Sequence, residues 1–375
     1  MRQPEQLYLE LLKASLRRQT PREELFATLG APLWEEVCAL SDRQRTTAMI
    51  ADSILSLPEL LQPPRLLRLK LLLQREQIEK RNDQVNRVLG EITAQYNDLD
   101  CPAILLKGQG AARNYPVSRH RTPGDIDLFF FRKGDYERAN CWVREQGIRC
   151  EQESVKHLGF DWKGVHIENH RVMATFERSK YNRRYREEED RLIRAGKWKR
   201  ETICGSEVLS LPSTFNACYL FLYLFLHLFH HFIHAGVSTR QLSDWILLLQ
   251  QKQHEIDHVE AARIFNQLAL SRPASLFAAA AVHYLEIPPE VFPILPAKES
   301  PNITRIMEDL LHGGHFGKHR PGKKRPTGTW SGRWHSYKQT TRRSLRMGTF
   351  SPEHIPLLPV YKLMTRMKLI FWKNI

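Results

Sequence analysis

Residues 103–131, AILLKGQGAARNYPVSRHRTPGDIDLFFF, set the tightest limits on what this chain can fold into. AILL is a short apolar run closed by Lys107-Gly108, and DLFFF is a second run, rich in β-forming aromatics, so two buried strands are expected. Side chains alternate faces along a strand. Asp125 and Asp127 therefore leave one face while Ile126 and Leu128 enter the core on the other. Two converging carboxylates repel unless a cation lies between them, and Mg²⁺ commonly takes one or two carboxylates together with phosphate oxygens. The alternative for a bare Asp-x-Asp is a solvated strand start.

The surrounding pattern is mostly helical. From Leu7 to about Leu99 apolar residues recur at helical spacing, broken at Thr20-Pro21, Gly30-Ala31-Pro32 and Pro63-Pro64, with one long helix expected from Arg65 to Leu99. Gly134 to Gln146 reads as helix, and HLGFDW and VHIENH, either side of Lys163-Gly164, predict a β-hairpin. Arg178 to Arg200 is almost wholly charged and is expected to be solvated helix or linker. Beyond Leu211-Pro212-Ser213 the pattern is helical again to about Leu311. The expected architecture is α+β. A small mixed-sheet domain (99–178) lies between an N-terminal helical region (1–98) and a C-terminal helical bundle (179–312), followed by a basic tail with a terminal amphipathic segment (313–375).

Composition narrows the classes. A chain of 375 residues with 42% hydrophobic and 26% charged residues folds, and is long enough for an enclosed site. Its six cysteines form no C-x-x-C pair, against a disulfide framework or zinc knuckle and in keeping with a reducing cytoplasm. The opening MRQPEQLYLELLKASLRRQ reads as an amphipathic helix without signal-peptide features, so secretion is not expected. Phe215 to Phe229 contains Asn216 and His227 and falls short of the roughly 20 residues of a bilayer span, which predicts a buried helix. The net charge of +15 is concentrated: residues 317–347 hold ten Lys or Arg and no Asp or Glu, with Trp330, Trp334 and Tyr337 interleaved. Such a run suits an anionic membrane surface or an acidic partner, and nucleic acid less well; a solvated segment is the plain alternative. The closing YKLMTRMKLIFWKNI mixes apolar and basic residues at near-helical spacing, which suits docking onto the protein body more often than an anionic bilayer surface; the expected location is cytoplasmic, with the inner membrane face as the alternative.

Several further residues bear on chemistry. Strand, Gly, helix places the amides of Gln109 to Ala111 at a helix start, where phosphate is favoured, and Lys107 and Arg121 add positive charge. Glu168 is the candidate third carboxylate, with Glu151, Glu153 and Asp161 as competitors. It shares a strand face with His166 and His170, which leaves a three-ligand zinc site as an alternative, although HIENH lacks the helical spacing of H-E-x-x-H. His227, His230, His231 and His234 fall on one helical face, read as a polar stripe lining a cleft or neighbouring helix rather than as metal ligands. Arg240 and Asp244, at i and i+4, either pair along their helix or join His231 in an acceptor or base pocket.

Strand, Gly, helix, then Asp-x-Asp on a second strand and an acid on a later one resembles the nucleotidyltransferase superfamily with the polymerase-β-like catalytic fold. More narrowly, LLKG, YP, R-x-x-G-DIDLFF and VHIENH resemble a bacterial family of uncharacterised nucleotidyltransferases, often associated with surface-polysaccharide gene clusters. HLFHHFIHAGVSTRQLSDW is similar to that family's helical segment, and the likeness covers roughly residues 30 to 310. The first turn departs from the superfamily: Lys107-Gly108-Gln109 stands where Gly is usually followed by Gly or Ser, and the interval to Asp125 is longer. The resemblance implies Mg²⁺-dependent transfer of a nucleoside monophosphate from NTP to an acceptor hydroxyl with release of pyrophosphate. It assigns Asp125, Asp127 and Glu168 to metal binding and catalysis, and Lys107, Gly108, Gln109 and Arg121 to the nucleotide. The competing expectation is a catalytically silent nucleotide-binding or sensor scaffold whose basic tail engages a partner.

Overall fold

The computed structural model describes residues 1–196, 198–200, 213–215, 217–314 and 329–364. The chain opens with α1 (Gln3–Arg17), α2 (Ala31–Arg43), α3 (Thr47–Leu55) and the long α4 (Arg65–Asp98). Two left-handed residues, Arg18 and Arg45, turn the chain after α1 and α2, and Pro64 caps the start of α4.

The sheet then forms from β1 (Ala103–Leu105), β2 (Ile126–Phe130), β3 (His157–Trp162) and β4 (Val165–His170), with the single-turn α5 (Gln109–Ala112) after β1 and α6 (Asp135–Glu145) after β2. Lys163 and Gly164 both have positive φ, as a two-residue hairpin turn between twisted antiparallel strands requires. Two further strands, β5 (Trp198–Arg200) and β6 (Ser213–Phe215), follow α7 (Ser179–Arg194) and extend the sheet to six strands in the order β3-β4-β2-β1-β6-β5. They come from beyond the expected 99–178 unit, so the sheet draws strands from both sides of residue 178. β2 runs antiparallel to β1 and parallel to β4, and β1 runs parallel to β6, a mixed sheet.

Period-two alternation sorts the sheet's two faces. Leu105, Ile126, Leu128, Phe130, Leu158, Phe160, Val165 and Ile167 pack beneath α4 and α6, against Val88, Leu89, Ile92, Ala139 and Val143. Ile104 and Phe129 point the other way, into a larger core shared with the N-terminal helices and the C-terminal bundle. Asp127, Glu168 and His170 therefore lie on this second face.

The bundle consists of α8 (Ala217–His234), α9 (Thr239–Lys252), α10 (His258–Gln267), α11 (Ser271–Leu285), α12 (Pro301–Gly313) and α13 (Thr329–Met347). α8 is long and apolar enough to cross a membrane, yet 72% of it is buried inside the protein against α9, α10, α11 and α13. α9 starts with a capping box, in which Gln241 Oε1 accepts from the Ser238 amide at 2.9 Å.

Two expectations about charged segments need correction. α7 is helical, one of the two expectations for this segment, but it is amphipathic rather than solvated, with Tyr181, Tyr185, Glu188, Glu189 and Leu192 buried. Its glutamates are neutralised in place: Glu188 pairs with Arg191 and Arg263 at 2.8 Å, and Glu189 with Arg186 at 2.8 Å. The basic run likewise belongs partly to the fold. Within α13, Arg343 is buried and bonds both carboxylate oxygens of Asp309 at 3.0 and 2.8 Å, while its Nε donates to the Phe232 carbonyl at 2.7 Å. Residues 315–328, which hold Lys318, Arg320, Lys323, Lys324 and Arg325, lie outside the described residues, as do 365–375 of the terminal amphipathic segment.

Candidate active site

A cleft of about 610 Å³ opens between the second face of the sheet and helices α8 and α9. Lys107, Gly108, Arg121, Asp125, Asp127, Glu168, His231, Arg240 and Asp244, nine of the ten residues expected to serve catalysis, the nucleotide or an acceptor pocket, line it. Gln109 is the exception. Its side chain is buried and turned to α4, where the amide donates to Asn86 Oδ1 and, at 3.3 Å, to Asn82 Oδ1. Asn82 in turn donates to the carbonyls of Arg119 and Arg121 at 2.7 and 2.9 Å. Gln109 thus anchors the glycine turn to α4.

The carboxylates converge through strand register. Asp127 on β2 and Glu168 on β4 are direct partners across the parallel pair, and Asp125 immediately precedes β2 at the cleft mouth. Lys107, at the end of β1, forms an ion pair with Asp127, and His170 Nε2 lies 3.3 Å from Asp127 Oδ1 and 3.0 Å from Glu168 Oε2. Burial opposes charge on Asp127, but Lys107 and His170 outweigh it and hold the carboxyl well below its usual range. Glu168 is also lowered: burial works against its charge, and the His170 hydrogen bond and Lys107 offset burial and the repulsion from Asp127. Asp125 shifts upward through desolvation by the cleft walls, with Asp127 and Glu168 adding to it and Lys107 opposing. His170 is raised, because its bonds to the two acids exceed the cost of burying its charge.

These donors fit a divalent cation. Two strand carboxylates at one register position, with a third at the mouth, are the oxygen set that Mg²⁺ accepts. His157, Glu168 and His170 also bring one donor atom each within 4.8 Å of one another. His157 takes the place expected for His166, because His157 is the register partner of His170 on β3, whereas His166 turns to Asp161 at 2.9 Å. The sequence reading missed His157, whose only trace was its position at the start of a predicted strand.

The phosphate-binding turn is weaker than expected. Gly108 adopts φ +65° and ψ −112°, a conformation reserved for glycine, but α5 is a single turn with little dipole. Two of the three amides expected to meet phosphate are already engaged, Gly110 with the Lys107 carbonyl and Ala111 with that of Gly108.

Arg121 also has another role. Its Nε and Nη2 bond Asp244 Oδ1 and Oδ2 at 2.7 and 2.9 Å, and Tyr115 donates to the same carboxylate at 2.6 Å. Asp244 is therefore the partner of Arg121, not of Arg240 along its own helix. Arg240 instead donates from Nη1 to the Thr122 carbonyl at 3.2 Å.

The α8 histidines form the opposite wall. His227 and His231 are in ring contact at 4.3 Å, and His234 bonds Glu177 at 2.7 Å. Burial pushes His230 and His231 down to about 3, reinforced by Lys156 at His230 and by Lys107 at His231, and pushes His227 well below the ordinary imidazole range. These three are neutral imidazoles at neutral pH. The glutamate beside them, Glu177, is held down at about 2: burial works against its charge, but its hydrogen bond to His234, the electrostatic effect of His234 and His230 and a backbone amide together outweigh it.

The chain matches the family model described as uncharacterised nucleotidyltransferase over residues 31–286, and it belongs to that family. No curated protein and no solved structure shows a significant match. Membership supports nucleotidyl transfer as the general activity.

Proposed function

We propose, from that membership and from the cleft, that the protein is a Mg²⁺-dependent nucleotidyltransferase that moves a nucleoside monophosphate from NTP to an acceptor hydroxyl. The observation that carries the reading is the placement of Asp127 and Glu168 as register partners beside Lys107, inside a cleft sized for a small molecule. Asp125, Asp127 and Glu168 would hold the metal. Bound there, Mg²⁺ would neutralise phosphate oxygens and lower the pKa of the acceptor hydroxyl.

The chain's own residues supply the rest. Lys107 carries positive charge to the edge of the carboxylates, where a phosphate must approach, and His170 keeps both acids ionised. The walls of α8 and α9 would orient the acceptor. The hydroxyl oxygen bonds to the α-phosphorus, the bond from that phosphorus to the bridging oxygen breaks, and pyrophosphate leaves while the hydroxyl proton passes to solvent. A role in surface-polysaccharide metabolism fits the family's usual gene neighbours and is the context we favour for the acceptor.

One observation favours a second reading, a nucleotide-binding scaffold without turnover: the glycine turn leads into a single helical turn whose amides are largely engaged. Label transfer from each of four α-phosphate-labelled NTPs, with Mg²⁺ and cell extract, separates the two. Label in one fraction that disappears with Asp127→Asn establishes transfer. NTP binding without label in any fraction would replace it with the scaffold.

A further inference from the structure

Away from the carboxylates, the cleft is lined by donors that lack acceptors. Arg121 Nη1, Thr122 Oγ1, Arg240 Nε and Gln241 Nε2 are all buried without a hydrogen-bond partner among the described residues. Arg121 is 3% exposed and Arg240 8%, so neither guanidinium is served by bulk water, and both face the cleft. A buried polar group without a partner costs free energy, and a charged one costs more, so four in one place mark a site shaped for something else.

Charge says what that is. Arg45, exposed in the turn between α2 and α3, joins Arg121 and Arg240 at this end, where Asp244 is bonded to Arg121 and Asp127 also acts on Arg121 through its charge. Burial and the nearby charge of Arg121 both lower the Arg240 pKa, with Arg45 adding to the repulsion. Three guanidinium groups face one bonded carboxylate and an Asp127 already paired with Lys107, which leaves an excess of positive charge around the two buried arginines. Arg240 and Gln241 also occupy the first turn of the 14-residue α9, whose dipole has the same sign. The missing component is an anion with several acceptor oxygens, the description of a phosphate.

We propose that Arg45, Arg121, Thr122, Arg240 and Gln241 form a subsite for a phosphate group carried by the acceptor, so that the substrate receiving the nucleotide is itself phosphorylated. This rests on the transfer reading above. The triphosphate has its own cations at the sheet, in Lys107 and the metal held by the three acids. The subsite is built from elements outside those strands: the α2–α3 turn, the loop before β2 and the start of α9.

Inorganic phosphate, titrated calorimetrically into the full-length protein, tests this. Wild type should bind it saturably, and Arg45→Gln and Arg240→Gln should each weaken binding about tenfold, the effect of one charge-assisted hydrogen bond. Arg45 is exposed, so its variant keeps the test valid even if Arg240→Gln fails to fold. The titration is repeated with Mg²⁺ and a saturating non-hydrolysable NTP analogue. Unchanged phosphate affinity assigns the subsite to the acceptor, whereas displacement by the analogue would give it to the triphosphate and overturn the proposal. No saturable phosphate binding, or equal binding by wild type and both variants, would also overturn it. Failure of the transfer reading registers separately, as absence of label transfer from the α-phosphate-labelled NTPs, while arginine-dependent phosphate binding would still uphold the subsite.

Discussion

Arg121 and Asp244 meet through two parallel hydrogen bonds, 123 residues apart in sequence, and tie the loop before β2 to helix α9 across the back of the cleft. Removing Asp244 would leave a buried guanidinium without its bonded counter-charge. Asp244→Ala should therefore cost about 3–5 kcal/mol in chemical denaturation. A loss below about 1 kcal/mol would mean the pair is not buried as described.

Gln109 bridges the glycine turn to Asn82 and Asn86 rather than to the cleft. Gln109→Ala should lower stability by about 1–3 kcal/mol, the cost of stranding buried amide groups. Nucleotide affinity, measured by titration calorimetry, should stay within about twofold. A selective loss of nucleotide binding at unchanged stability would return Gln109 to the site.

Gly108 holds φ +65°, which an L-residue adopts only with strain. Gly108→Ala should cost about 1–3 kcal/mol and weaken nucleotide binding by shifting the adjacent Lys107. Thermal melting and nucleotide titration on the same sample check both parts, and an unchanged melting temperature would refute the strain.

His230 and His231 sit at about 3 in the folded protein, below the ordinary 6.5. Depressed imidazole pKa values mean the unfolded chain binds more protons, so their contribution to stability is complete above about pH 6.5 and falls as pH drops toward 3. Each should cost up to about 1 kcal/mol per pH unit, moderated by water in the cleft. Denaturant midpoints at pH 7.5 and 5.0 measure this. His230→Gln and His231→Gln should each flatten the dependence, and a slope unchanged in both variants would count against neutral burial.

What could be read from the sequence follows from which features leave a local trace. The alternation in DIDLFF and VHIENH and the turn at Lys163-Gly164 exposed β2, β4, the hairpin and the carboxylate face. Strands β5 and β6 are three residues each, too short to carry a period. The helical spacing of Arg240 and Asp244 suggested a local pair, but the partner that wins is Arg121, whose separation leaves no pattern. α7 looked solvated because its charges are dense, while the tyrosines that bury it recur four residues apart among them. His157 became a candidate ligand only through cross-strand register, which a single strand's residues do not reveal.

The walls of the cleft also fix when it can exist. During synthesis Lys107, Asp125 and Asp127 leave the ribosome more than a hundred residues ahead of Arg240 and Asp244, and β6, which covers the free edge of β1, also emerges late. A nascent chain that ends before α9 has the acids but no pocket, and Arg121 without its carboxylate. The pocket at this site therefore needs the chain through α9, and a truncation before residue 213 should leave a product that neither binds nucleotide nor keeps its sheet edge protected.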